Sequence, residues 1–162
     1  MTMTQGGKAN KAGKILESTV TGTLAGHGYI EISHPKRKQR RELLLTSTTC
    51  PKRYARQVYM GLGIYSTDIY VDFYIIGSVA NSSGLIIECK WQNSSGSVDE
   101  KLPYVNLNIQ HCYPAPALVL IDGGGMKSGA INWLKTQVNT NKNLLAVYDL
   151  SSFIAWANNN NL

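Results

Sequence analysis

Three charged residues stand where a buried strand would carry apolar ones: Asp72 within YVDFYII, and Glu88 and Lys90, two apart, within LIIECKWQ. Strand propensity disfavours Asp, Glu and Lys, and the neighbours Val71, Phe73, Ile75, Leu85, Ile86 and Ile87 are what a buried sheet selects. Charges in such a setting need compensation. Period-two geometry puts Ile86, Glu88, Lys90 and Gln92 on one face of the later strand. On the earlier strand Asp72 shares its side with Asp68, Tyr70 and Tyr74. Paired as a hairpin, the strands bring Asp72 beside Glu88, and two carboxylates that close repel unless a cation separates them. Hard oxygen ligands call for Mg²⁺, with Mn²⁺ as a substitute, an ion that keeps several waters and suits phosphate chemistry. Lys90, on the same face, is placed to orient or help deprotonate an attacking water and to stabilise developing phosphate charge.

The elements that must hold these residues follow from periodicity. Ala12, Ile15, Leu16, Thr19, Val20 and Leu24 recur at helical spacing, so residues 8–25 are predicted as a helix stopped by Gly26 and Gly28. Residues 29–33 read as a short strand, 34–41 as a basic loop, and 43–46 as a strand or turn; 56–64 is ambiguous. Residues 68–76 and 85–92 form a strand pair joined by the polar loop 77–84. Ser97, with Glu100 three residues on, opens a helix over 98–111 that Pro114 and Pro116 end. A buried strand at 117–121, a helix at 127–138, a strand at 144–148 and a helix at 150–157 complete the chain. This order predicts one α/β domain over residues 1–162, a central mixed β-sheet flanked by helices on both faces.

The net charge of +6 is unevenly distributed. Residues 1–56 carry eleven Lys and Arg against three acids, and the remainder is slightly acidic. Such asymmetry points to a polyanion met by the N-terminal third, nucleic acid before an anionic membrane surface. No apolar run reaches the length of a membrane span and the first residues lack a signal peptide's apolar segment, so a soluble, cytoplasmic protein is expected. Three widely spaced cysteines suggest neither a disulfide framework nor a zinc site.

Asp72, a spacer of fifteen residues and then Glu88-Cys89-Lys90, on strands followed by a helix and a further strand, resembles the PD-(D/E)XK nucleases. The resemblance spans residues 8–148, with Val71 standing where the motif's proline would be. It implies a restriction-endonuclease-like core, Asp72 and Glu88 as ligands to Mg²⁺, and Lys90 at the nucleophilic water. Glu17 on the first helix matches the early Glu that many members add at the metal site, and Gln92 the Gln that some carry after the Lys. The implied activity is Mg²⁺-dependent hydrolysis of DNA phosphodiesters by an endonuclease of bacterial or phage origin, site-specific in the manner of restriction or phage homing enzymes. A Holliday-junction resolvase and a non-catalytic nucleic-acid-binding module on the same fold are the alternatives. Double-stranded or branched DNA would be gripped by Lys36, Arg37, Lys38, Arg40 and Arg41, with Lys52, Arg53 and Arg56 behind them. Cutting two strands needs two sites, so a homodimer or homotetramer is expected.

Other residues carry less. His27, His34 and His111 lack metal-ligand spacing, GGGMKSG lacks that of a phosphate loop, and Asp122 before it reads as a turn former. Tyr54, Tyr59, Tyr65 and Tyr70 are of a type that can touch DNA but on strands more often packs.

Overall fold

The structure is a computed structural model that describes residues 5–162, with side chains from residue 13 onward; Lys8, Lys11 and Ala12 of the first helix therefore have side chains outside the described ones. In chain order it contains α1 (Gln5–Gly26), β1 (Ile30–Glu31), α2 (Arg40–Thr46), β2 (Arg53–Leu62), β3 (Asp68–Ile76) and β4 (Leu85–Trp91). There follow α3 (Leu102–His111), β5 (Ala117–Asp122), α4 (Ser128–Gln137), β6 (Leu144–Tyr148) and α5 (Leu150–Trp156). The six strands lie side by side in chain order as one sheet. β2, β3 and β4 run antiparallel to one another, whereas β1–β2, β4–β5 and β5–β6 are parallel pairs.

Two apolar layers sandwich the sheet, as the order of elements predicts. On one side Leu16, Val20 and Leu24, four residues apart and fully buried, set α1 against Phe73, Leu85 and Ile87, with Phe153 of α5 beside them. On the other, Leu44 of α2, Leu102, Val105 and Ile109 of α3 and Leu134 of α4 cover Val71, Ile86 and Val119. Each such fully buried aliphatic or aromatic side chain contributes roughly 1.5–3 kcal/mol.

Residues 34–46 differ from expectation. The segment 34–41, read as a loop, forms a 3₁₀ turn (Arg37–Gln39) running into α2, and 43–46 is helical rather than a strand or turn. A non-local contact supports it: the Arg53 guanidinium donates to Leu44 O at 2.5 Å and Leu45 O at 3.2 Å, carbonyls that a short helix leaves open at its C-terminus, and to Cys50 O in the following loop at 3.1 Å. Most of the ambiguous stretch at 56–64, as far as Leu62, belongs to the ten-residue strand β2.

For the site, the decisive feature of the sheet is where β3 and β4 part. Their register covers only Phe73↔Ile87, Tyr74↔Ile86 and Ile75↔Leu85, while β4 goes on to pair with β5 as far as Trp91↔Asp122. Beyond Ile87 the two strands splay, and the cleft between them opens at Asp72 and Glu88.

Candidate active site

Asp72 closes the parted ladder with its side chain. Cys89 N–H, which no longer faces a β3 carbonyl, donates to Asp72 Oδ2 at 2.7 Å. Gln57 of β2 donates its side-chain amide to Asp72 Oδ1 at 3.0 Å. Gln57 sits at φ 51°, a left-handed conformation inside a strand and one of three positive φ values among the described non-glycine residues. Backbone strain of this kind persists where surrounding structure enforces it and concentrates at functional sites. Asp72 is thus anchored from both neighbouring strands, its carboxylate pinned in the fork.

Glu88 lies deeper, with its side chain 5 % exposed. The Tyr113 hydroxyl, from the segment between α3 and β5, donates to Glu88 Oε1, and the Lys90 ammonium donates to Oε2 at 2.5 Å. The same ammonium stands 3.7 Å from Asp72 Oδ2. The Lys90 ammonium thus lies between the two carboxylates. Burial pushes the Glu88 carboxyl above its usual range, and Lys90 counteracts that less than fully, with Asp72 adding to the rise. For Lys90 burial favours the neutral amine, but Glu88 and Asp72 outweigh it and hold the ammonium's pKa above its usual value. Burial also raises the Tyr113 phenol, with Glu88 next in effect, so it remains a donor. Cys89 is likewise raised by burial, then by Asp72, which keeps it an unreactive thiol.

Glu17, in the opposite layer, lies within electrostatic reach of this group. It is half-buried on α1, and its carboxyl is raised first by burial and then by Asp72, with Arg56 and Lys90 pulling it down. Gln92 does not join it. Its amide donates to Gly125 O at 3.1 Å and accepts from Val98 N at 2.9 Å, while Gly125 N donates to Gln92 O at 2.7 Å. These bonds tie the glycine turn after β5 to the end of β4; a Cβ on Gly123, at φ 104°, would lie 2.5 Å from Gln92 O. Asp122 anchors the same turn, accepting from Gly123 N and from Leu150 N at the start of α5.

The basic residues divide. Lys36, Arg37 and Lys38 are exposed, with Arg37 over the Tyr70 ring at 4.4 Å and Lys38 over Tyr59 at 4.5 Å and 2.8 Å from Asp68. Arg40 is held by His34 O and Arg56 O, and Arg41 is half-buried along the groove between α2 and β2. Arg56 pairs with Glu31 at 2.8 Å. Lys52 donates to His27 O and Leu162 O, and Arg53 to the end of α2, so both heads are committed to main-chain carbonyls.

Glu88 and Lys90 face a cleft of about 290 Å³ whose walls include Tyr70, Lys101, Tyr104 and Tyr113. Sequence reasoning overlooked Gln57 and Tyr113. Nothing in the sequence marks a positive φ at a glutamine, and Tyr113 lies 25 residues from Glu88, reached only through the α3 crossover.

Among the described residues no three His, Cys, Asp or Glu side chains cluster closely enough to hold a metal ion on their own. The donor set nevertheless fits a hard divalent cation that retains several waters: two carboxylates already share one cation, the Lys90 ammonium standing in for the ion. No helix among the described residues is long and apolar enough to cross a membrane. A family model described as PD-(D/E)XK nuclease superfamily domain matches residues 8–161. No curated protein and no solved structure matches the chain significantly.

Proposed function

The chain belongs to the PD-(D/E)XK nuclease superfamily, and from that membership we propose that it is a Mg²⁺-dependent DNA endonuclease. The observation that carries this reading is the convergence of Asp72 Oδ2 and Glu88 Oε2 on the Lys90 ammonium, at 3.7 and 2.5 Å, in the fork where β3 and β4 part. Asp72 and Glu88 are the residues to hold the metal, Mn²⁺ serving in place of Mg²⁺. A divalent cation bound there supplies Lewis acidity, lowering the pKa of water and neutralising phosphoryl oxygens.

The protein's own groups do the remainder. Gln57 and the Cys89 N–H fix the direction of Asp72, and Tyr113 fixes Glu88. Lys90, a charged ammonium within its carboxylate pair, is positioned to stabilise the developing phosphate charge and to orient the attacking water. Glu17 adds negative charge from α1, and Gln92 acts at a distance by fixing the end of β4. Lys36, Arg37, Lys38, Arg40 and Arg41 lie on one connected segment suited to phosphates, while Arg56, Lys52 and Arg53 are better suited to holding that segment and the chain's ends. A homodimer or homotetramer supplies the two sites that double-strand cutting needs.

The test is incubation of the purified protein with plasmid and with branched DNA plus Mg²⁺, alongside Lys90→Ala. Metal-dependent cleavage by the wild type, lost in the variant, supports the reading; absence of cleavage on every substrate sinks it.

A further inference from the structure

Beside the cleft stands an aromatic side chain that is largely exposed. Tyr65 stands in the turn between β2 and β3, and at 71 % it is the most exposed of the large hydrophobic side chains among the described residues. The turn holding it is rigid. Gly63 N donates to Thr67 O and Ser66 N to Gly63 O, both at 2.9 Å, with Ser66 in the left-handed region at φ 57°. Asn108 of α3 accepts from Ile64 N at 2.9 Å, and a Cβ on Gly63 would lie 2.7 Å from that same Asn108 Oδ1, so the turn is seated directly on α3.

One face of the Tyr65 ring stacks on Tyr104, centroids 4.7 Å apart and planes at 29°, and the other is open. Tyr104 in turn lines the cleft that holds Glu88 and Lys90. Cations alternate with rings around the cleft: Lys101 one turn before Tyr104 on one wall, Arg37 over Tyr70 on the other. Lys101 has no acidic partner among the described residues. An open π-face flanked by cations suits a polyanion that presents flat aromatic groups, and fits a peptide or a second copy of this chain less well.

A duplex hides the faces of its bases, whereas an unpaired base offers one. Resting on the nuclease reading above, we propose that Tyr65 is a stacking platform for an unpaired base next to the scissile phosphate. The substrate class is then DNA with unpaired nucleotides, single strands and branch points, in preference to uninterrupted duplex.

The test uses the whole protein in EDTA, so that no cleavage intervenes, and fluorescence anisotropy with a labelled oligothymidine and with a blunt duplex. Wild type is expected to bind the single strand more tightly. Tyr65→Ala should weaken single-strand binding by about 5- to 150-fold, the equivalent of the roughly 1–3 kcal/mol that stacking contributes per base, and leave duplex binding unchanged. Tyr65→Phe, which keeps the ring, should stay within about twofold of wild type. Unchanged single-strand binding in Tyr65→Ala, an equal loss on both probes, or a change only in oligomeric mass by sedimentation overturns the proposal. The two readings fail separately. Wild-type cleavage with Mg²⁺ and an indifferent Tyr65→Ala removes the platform alone, whereas a Tyr65 effect on binding without any cleavage removes the nuclease alone.

Discussion

Gln57 reaches Asp72 Oδ1 across 3.0 Å from a backbone that is left-handed, at φ 51° in the middle of β2. Left-handed backbone costs a non-glycine residue about 1–2 kcal/mol, so strain in one strand is coupled to orientation of a carboxylate in the next. Ordinary strand positions are weaker with Gly than with Ala. Here the order should invert: Gln57→Gly is expected to be more stable than Gln57→Ala by about 1 kcal/mol in urea denaturation, both losing activity. An Ala variant as stable as the Gly variant would show that no strain is held at this position.

Tyr113 supplies the second orienting bond. Removing its hydroxyl leaves Glu88 Oε1 without its donor in a site where the carboxylate is almost wholly buried. Tyr113→Phe should therefore lower stability by about 1–3 kcal/mol and reduce Mg²⁺-dependent cleavage by about 10- to 100-fold with the ring's packing kept. Chemical denaturation and single-turnover cleavage at saturating DNA measure the two effects. Wild-type rates in Tyr113→Phe would remove the residue from the positioning network.

Much of this site was legible in the chain, and the reason is local. Asp72, Glu88 and Lys90 are out of place by composition alone, and period two puts Glu88 and Lys90 on one face before any contact is known. Glu17 lies at the edge of the apolar stripe of α1, next to the buried Leu16, and is singled out by the resemblance and not by its spacing. What sequence could not carry is whatever depends on two distant segments meeting. The end of α2 is capped from β2 by Arg53, the fork opens where β4 parts from β3 while staying paired with β5, and Gln92 is held by a turn more than thirty residues later. Tyr65 illustrates the converse: its type suggested packing, and only the seating of its turn on α3 leaves it exposed.

Glu17 gives a pH test with a definite sign. Burial and the charge of Asp72 raise its carboxyl above the ordinary value of 4.5, so the folded protein binds that proton more tightly than the unfolded chain. The favourable contribution is complete below the ordinary value and disappears as pH rises through the raised one. Glu17→Gln should consequently raise the urea midpoint at neutral pH, and the gain should vanish below about pH 4. A variant less stable than wild type at neutral pH would contradict this assignment.

The basic residues should separate by function when neutralised. Arg37→Gln and Lys38→Gln remove exposed charges that lie over the rings of Tyr70 and Tyr59. Each should weaken DNA binding and reduce the slope of log affinity against log salt by about one. Arg53→Gln instead takes donors from three carbonyls, and is expected to cost about 1.5–3 kcal/mol of stability while leaving the salt slope of the surviving folded protein unchanged. Equal effects of all three on the salt slope would refute the division.

Lys90 stands between two carboxylates and is also the residue nearest to where a metal would bind, so stability and metal affinity should oppose each other there. Lys90→Met keeps the buried stem and deletes the charge, leaving Glu88 and Asp72 facing one another. Breaking a buried pair from one side typically costs about 3–5 kcal/mol, and the loss should be smaller in Glu88→Gln/Lys90→Met, where the remaining repulsion is gone. A divalent cation can take the position the ammonium has left. Mg²⁺ or Ca²⁺ should therefore raise the melting temperature of Lys90→Met more than that of the wild type, and should do little for the double variant. The readout is thermal unfolding with and without the ion, independent of any cleavage. If the ion stabilises wild type and Lys90→Met equally, the ammonium and the metal do not compete for the two carboxylates, and Asp72 and Glu88 are not the pair that holds it.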